Sequence, residues 1–181
     1  MIDSLNPSEA LSFRDRDGWG AEGEWNSEPL DKVVWIDTAT GFDCMIHRNY
    51  SGAWCGYVGV TADHDYFGVD YDRLHWHTEG DHGGLTFTGA CGPRREDGSG
   101  ICHLPLEGRP DKVWWLGFDC NHCQDLSPQE AGRDDPMPWT EDAVYRPLPY
   151  VIGCVQKLAA SLLGPDLREP DEERSYTDEE E

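Results

Sequence analysis

The feature that most narrows the fold is the contrast between one helical segment and everything before it. Over 150–163 the apolar residues Val151, Ile152, Val155, Leu158, Ala159 and Leu162 recur at intervals of three and four, the spacing that gathers side chains along one stripe of an α-helix. Pro149 suits the first turn, where the missing N–H does no harm, and Gly164-Pro165 closes the segment. An amphipathic helix must lay its stripe on an apolar surface, and the preceding chain offers short β-branched and aromatic runs. These are 33–36, 42–48, 53–60, 73–78, 85–88 and 112–119, the last being the most apolar and expected to be central. Turn signals at 38–41 and at Asn49-Tyr50-Ser51-Gly52 separate the first three runs into an antiparallel meander. The expected class is α+β: a mostly antiparallel sheet of about five to seven short strands with one main C-terminal helix.

A chain of 181 residues suits a single domain. Residues 1–30 are polar, with isolated Trp19 and Trp25, and read as an N-terminal arm; 31–165 read as one α+β domain. Residues 166–181 read as an acidic, disordered tail, nine carboxylates against Arg168 and Arg174. The tail carries −7 of a formal net charge of −22, set by 14 Lys+Arg against 36 Asp+Glu. So negative a surface repels phosphate backbones and anionic membranes, so neither a nucleic-acid polymer nor a membrane is expected as a partner. A small anionic ligand in a local pocket remains compatible with it, and the sequence leaves a homo-oligomer open.

The seven cysteines include one C-x-x-C, Cys120 and Cys123, and no second pair completes a four-cysteine zinc site. The first ten residues show neither a basic n-region nor an apolar h-region, and no apolar run approaches the roughly 18 residues of a membrane span. The expectation is a cytoplasmic protein with reduced thiols.

Two segments concentrate reactive side chains. In Asp81-His82-Gly83-Gly84-Leu85-Thr86 the paired glycines let the backbone approach a ligand. His82 there reads as a general acid, a general base or a metal ligand, and otherwise as a turn histidine bonded to a carbonyl. In Phe118-Asp119-Cys120-Asn121-His122-Cys123-Gln124-Asp125, the groups Asp119, His122 and Asp125 fall at three-residue intervals at the end of an apolar strand. A single helical turn would align them. They read as a carboxylate-oriented catalytic histidine, as ligands of a divalent cation, or as a capped turn. Weaker candidates are His75 and His77 as a chelating pair, Cys120 as a nucleophile and His64 as a group reaching either segment. Arg94 and Arg95, the one adjacent basic pair, read as a phosphate anchor. His47 and His103 read as structural or exposed.

Five motifs occur in order: Gly41-x-x-Cys44; Trp54-Cys55-Gly56-Tyr57-Val58-Gly59-Val60; His82-Gly83-Gly84-Leu85-Thr86; Trp115-x-Gly117-Phe118-Asp119-Cys120-x-His122-x-x-Asp125; and Tyr145-Arg146-x-Leu148-x-Tyr150-Val151. Together, over residues 34–163, they resemble a family of small phage and prophage proteins of uncharacterised activity. Asp65 after His64 departs from the proline usual in that family, and Cys123 and the N-terminal arm look like additions. The resemblance implies a viral origin and, by analogy with small phage proteins that counter host defence, a nucleotide ligand in the host cytoplasm. The leading expectation is a phosphodiesterase-like hydrolase acting on a cyclic or linear nucleotide immune signal. His82 and His122 would exchange protons, Asp119 or Asp125 would orient His122, and Thr86 would donate to a phosphate oxygen. Gly83, Gly84, His64, Arg94 and Arg95 would bind the ligand. No cofactor is required, although His122, Asp119 and Asp125 would hold a divalent metal if one is used. Tyr57, Trp76 or Trp115 would stack a base. The alternatives are a pocket protein that sequesters the nucleotide without cleaving it, and an acidic decoy for a host protein.

Overall fold

Strict alternation of side chains in the central strands divides the molecule into two faces of one sheet. The computed structural model describes residues 2–74, 82–93, 95–104, 106–109, 112–135, 137 and 142–164. Its strands are β1 (Glu9–Leu11), β2 (Lys32–Ile36), β3 (Asp43–Arg48), β4 (Trp54–Val60), β5 (Phe87–Ala90) and β6 (Trp114–Asp119), and its helices are α1 (Pro128–Ala131) and α2 (Leu148–Ser161). The strands form a single sheet in the order β1-β2-β3-β4-β6-β5, with every neighbouring pair antiparallel. The expected α+β class is what the structure shows. The apolar run around β6 is not central, however: it lies one strand in from the β5 edge, and β3 and β4 occupy the middle.

On one face, Val33, Trp35, Ile46, Trp54, Val58 and Phe118 pack with the stripe of α2, of which Val151, Val155 and Leu158 are fully buried. Alternate residues, among them Val34, Met45, Tyr57 and Trp115, point to the opposite face and form a second cluster with Phe87, Cys91 and Ile101. Both faces are therefore covered, which is why β3 and β4 are buried along their whole length.

Two expectations need correction. The described part of the N-terminal arm is built into the fold: β1 pairs with β2, Trp25 is buried, and Glu28 lies beneath the start of α2. Glu28 Oε2 accepts from Arg48 Nη2 at 2.7 Å, Trp54 Nε1 at 2.9 Å and the Tyr145 hydroxyl at 2.6 Å, while Oε1 accepts the Leu148 N–H at 2.7 Å. A carboxylate thus caps a helix N-terminus and neutralises a buried guanidinium at once. The second correction concerns the thiols. Cys91 and Cys102 are joined as a disulfide across the loop between β5 and β6, leaving Cys44, Cys55, Cys120 and Cys154 as buried thiols and Cys123 as an exposed one. Among the described residues no helix is long and apolar enough to cross a membrane. The acidic tail, the His75/His77 pair with Trp76, Asp81 and Arg94 lie outside the described residues.

Candidate functional site: two histidines on one carboxylate

Three pieces of chain converge where β6 leaves the sheet beside the start of α2. The first is the His82-Gly83-Gly84 turn, in which both glycines take positive φ (75° and 95°), a region that favours residues without a Cβ. This backbone carries His82 into the protein, where it is buried, and leaves Gly83 exposed. The second is the turn after β6, which presents His122 and Asp125 and is pinned by backbone hydrogen bonds between 124–126 and Val144. The third is the entry to α2, which supplies Arg146 and Tyr150. His82, Gly83, His122, Cys123, Asp125, Arg146 and Tyr150 line a cleft of about 360 Å³.

Asp125 is the hub. Its side chain is only 2 % exposed. Oδ2 accepts from His82 Nε2 at 2.7 Å and from the His122 backbone N–H at 3.0 Å, and Oδ1 accepts from Arg146 Nε at 2.8 Å. Burial pushes the Asp125 carboxyl up, but these hydrogen bonds outweigh it and hold the group below its ordinary value. The same bond to Asp125 raises the Arg146 guanidinium.

Both His82 nitrogens are engaged, since Nδ1 lies 3.0 Å from the Tyr150 hydroxyl. An ionised Asp125 requires the proton on Nε2, so the Nδ1 lone pair accepts from Tyr150; this assigns the tautomer from the network. Burial pushes the Tyr150 phenol up to about 12, which keeps it a donor. His122 differs. Its ring stacks on that of His82 at 5.1 Å and 24°, yet it makes no ring hydrogen bond among the described residues and is 35 % exposed. Nδ1 stands 3.7 Å from Asp125 Oδ2 and Nε2 stands 3.8 Å from Asp119 Oδ2. Asp119 in turn accepts the Thr86 hydroxyl at 2.8 Å and the Asn121 N–H at 3.0 Å.

His82, Thr86, Asp119, His122, Asp125 and Gly83 are thus brought together. Thr86 has its hydroxyl proton committed to Asp119, so it positions that carboxylate instead of meeting a phosphate. The three-residue spacing of Asp119, His122 and Asp125 produces no helical turn: the two carboxylates flank the imidazole from opposite sides. His64 stands apart. Its Nδ1 accepts the Tyr66 N–H and its Nε2 donates to the Leu162 carbonyl, closing the far end of α2, roughly 18 Å of helix from Tyr150. Arg95 also stands apart, on a cavity over the other sheet face. Cys120 is buried, and burial raises its thiol well above the ordinary range, which makes it a poor nucleophile.

Arg146 and Tyr150, absent from the expected site, complete it. The signal for them was the motif Tyr145-Arg146-x-Leu148-x-Tyr150, whose polar members precede and interrupt an apolar helix stripe.

The donor atoms of His82, His122 and Asp125 lie within 4.8 Å of one another and could hold a metal ion. His82 replaces Asp119 in the expected ligand set, because Asp119 lies beyond the other edge of the His122 ring. Cys91, Cys102 and His103 form a second such group, with both sulfurs joined to each other.

Fold and site define a single-sheet α+β protein with a histidine–carboxylate cleft at one strand end. Compared with family models, curated proteins and solved structures, the chain matches none.

Proposed function

We propose that the cleft is the active site of a hydrolase acting on a small phosphate-bearing substrate, a cyclic or linear nucleotide, and that the protein serves a phage by removing a nucleotide immune signal in the host cytoplasm. The observation that carries this reading is the pairing of His122, 35 % exposed and with each ring nitrogen within 4 Å of a carboxylate, with a buried His82–Asp125–Arg146 support in the same cleft. His122 is the group placed to exchange a proton. Its Nε2 takes a proton from water held against Asp119, the water oxygen attacks phosphorus, and the departing ester oxygen leaves with a proton returned by the imidazolium. Asp125 steadies the imidazolium from the Nδ1 side. Arg146, 30 % exposed, turns part of its charge to the cleft and offsets the negative field of the body for an incoming phosphate. His82, with both nitrogens occupied, positions Asp125 and Tyr150 and exchanges no proton.

A second reading is favoured by one further observation. Each member of the His82, His122 and Asp125 group is backed by an outer partner: Tyr150 behind His82, Asp119 behind His122, Arg146 behind Asp125. Such backing is what metal ligands need for orientation. A divalent cation held there would supply a bound water of lowered pKa. Binding would require the proton between His82 and Asp125 to leave.

The test is incubation of the protein with cyclic mononucleotides, cyclic dinucleotides and their linear forms, with and without added zinc or manganese, followed by chromatography of the products. Phosphodiester cleavage lost in His122→Ala supports the hydrolase, and cleavage that depends on metal selects the second reading. Intact nucleotide recovered from heat-denatured protein would replace hydrolysis with sequestration. Neither cleavage nor binding would leave the acidic decoy.

A further inference from the structure

The face of the sheet opposite α2 carries a cavity of about 710 Å³, within the range of small-molecule sites. Its aromatic wall depends on a glycine. Gly117 of β6 pairs with Tyr57 of β4 on one side and with Phe87 of β5 on the other. A Cβ on Gly117 would come within 2.3 Å of Tyr57 Cδ1, so only the bare backbone lets that ring lie over β6. The Tyr57 and Phe87 rings then meet edge to face at 5.5 Å and 88°. Ile101 and Pro93 from the disulfide-closed loop add further apolar lining, and Tyr50, 77 % exposed, stands at the rim.

The charged lining consists of donors. Arg14 and Arg95 both reach this cavity. Arg14 gives Nη2 to the Arg48 carbonyl at 2.7 Å, while its buried Nε has no hydrogen-bond partner among the described residues. His47, held 2.9 Å from the Ser99 carbonyl, is pushed down to about 4 by burial and is neutral at ordinary pH. Among the described residues no carboxylate lines the cavity. In a chain of net charge −22, an apolar cavity whose charged groups, among the described residues, are two guanidinium donors suits a flat ring carrying acceptor atoms.

A short path of contacts runs from Phe87, which lines the cavity, to His122, which lines the cleft. Thr86 immediately precedes Phe87 in the chain and donates to Asp119 at 2.8 Å, and Asp119 stands 3.8 Å from His122. Asp119 also follows Gly117 on the same face of β6 and acts electrostatically on the Tyr57 hydroxyl.

We propose that this cavity is the base-recognition compartment of the same ligand: it takes the nucleobase over Tyr57 and Phe87, with acceptor atoms toward Arg14 and Arg95, while the phosphate lies past Thr86 and Asp119 at His122 and Arg146. The assignment rests on the nucleotide reading of the cleft and deepens it, because it makes the base, and not the phosphate alone, the source of selectivity.

Calorimetric titration in a His122→Asn background, which prevents turnover, tests it with AMP, GMP, CMP, UMP, ribose 5-phosphate and inorganic phosphate. At least one nucleotide is expected to bind tenfold or more tightly than ribose 5-phosphate. Phe87→Ala should abolish that margin and leave ribose 5-phosphate affinity unchanged. Phe87→Leu keeps most of the apolar volume without the ring, so a matching loss there separates ring recognition from damage to the fold. Equal affinity for base-bearing and base-free probes, or an unchanged margin in both Phe87 variants, overturns the base compartment while leaving the phosphate cleft standing. Absence of binding by every probe removes the cleft reading and this inference with it.

Discussion

The imidazoles of His82 and His122 stack 5.1 Å apart, and the two residues meet the same oxygen of Asp125, His82 through a ring nitrogen at 2.7 Å and His122 through its backbone N–H at 3.0 Å. The carboxylate therefore fixes one histidine by its side chain and the other by its main chain. The first ring is locked, and the second can turn toward a ligand. Two histidines that look equivalent in sequence acquire different work from this asymmetry.

That division predicts opposite phenotypes. His122→Ala should cut turnover about 10²- to 10⁴-fold, the usual worth of a positioned acid–base group, with little change in the urea midpoint. His82→Ala should lower the midpoint as well, through a loss of about 1–3 kcal/mol of stability, because it leaves Asp125 and Tyr150 short of a buried partner. Parallel kinetics and urea melts check both. A His122 variant that is fully active, or a His82 variant as stable as the parent, would remove the asymmetry.

The Asp125 carboxyl gives the cleft a pH signature. Its folded-state pKa lies below the ordinary 3.8, so it contributes stability that is fully present above the unfolded value and is lost as pH falls through the folded one. Urea melts from pH 6 downward should show stability declining below about pH 4. The same series on Asp125→Asn should decline less steeply over that interval. An identical slope in the two proteins would mean that the His82 and Arg146 bonds do not hold the carboxyl low.

The disulfide loop makes a separable contribution. Cys91 and Cys102 are 11 residues apart in sequence, and closing a loop of that size stabilises a fold by about 2–3 kcal/mol. Cys91→Ser, or treatment of the parent with a dithiol reductant, should lower the thermal midpoint. Because Pro93 and Ile101 lie between the bridged cysteines, the same change should weaken ligand binding in the cavity over Tyr57 and leave the His122 cleft intact. Equal midpoints for oxidised and reduced protein would show that the bridge carries no stability.

How legible all this was in the sequence depends on the range of the interactions. The α2 stripe and β2, β3 and β4 follow from local periodicity and turn residues, and they lie where those signals put them. The candidates His82, His122 and Asp125 were recognisable because reactive side chains crowd beside glycines and at a strand end. Arg146 and Tyr150 stood out only as members of a motif, since their place in the site arises only when the entry to α2 docks against the turn after β6. β1 was invisible for another reason: three residues with one apolar side chain facing inward carry no periodicity. The Cys91–Cys102 pairing was hidden because spacing alone does not show which cysteines a loop brings together.

Glu28 is the case in which composition misled most, and it yields the last prediction. A glutamate in a polar stretch reads as solvated surface, yet this one accepts four hydrogen bonds and faces Arg48, whose side chain is 0 % exposed and whose guanidinium lies 4.0 Å over the Trp54 ring. Removing the carboxylate leaves a buried cation whose remaining anion among the described residues is Asp31, 3.6 Å away, and strips the cap from the first turn of α2. Glu28→Ala should therefore cost about 3–5 kcal/mol, far more than the fraction of a kcal/mol expected at an exposed position. Glu28→Gln keeps the size and one acceptor but loses the charge, and should fall between the two. Deleting residues 2–30 removes Glu28, Trp25 and β1 together, so it should unfold the domain and not merely trim it. Chemical denaturation of the two point variants and the heteronuclear NMR dispersion of the truncated chain decide the matter. A truncated protein with native dispersion would mean that the sheet and α2 hold Arg48 without the N-terminal segment, and that the buried carboxylate serves the helix start alone.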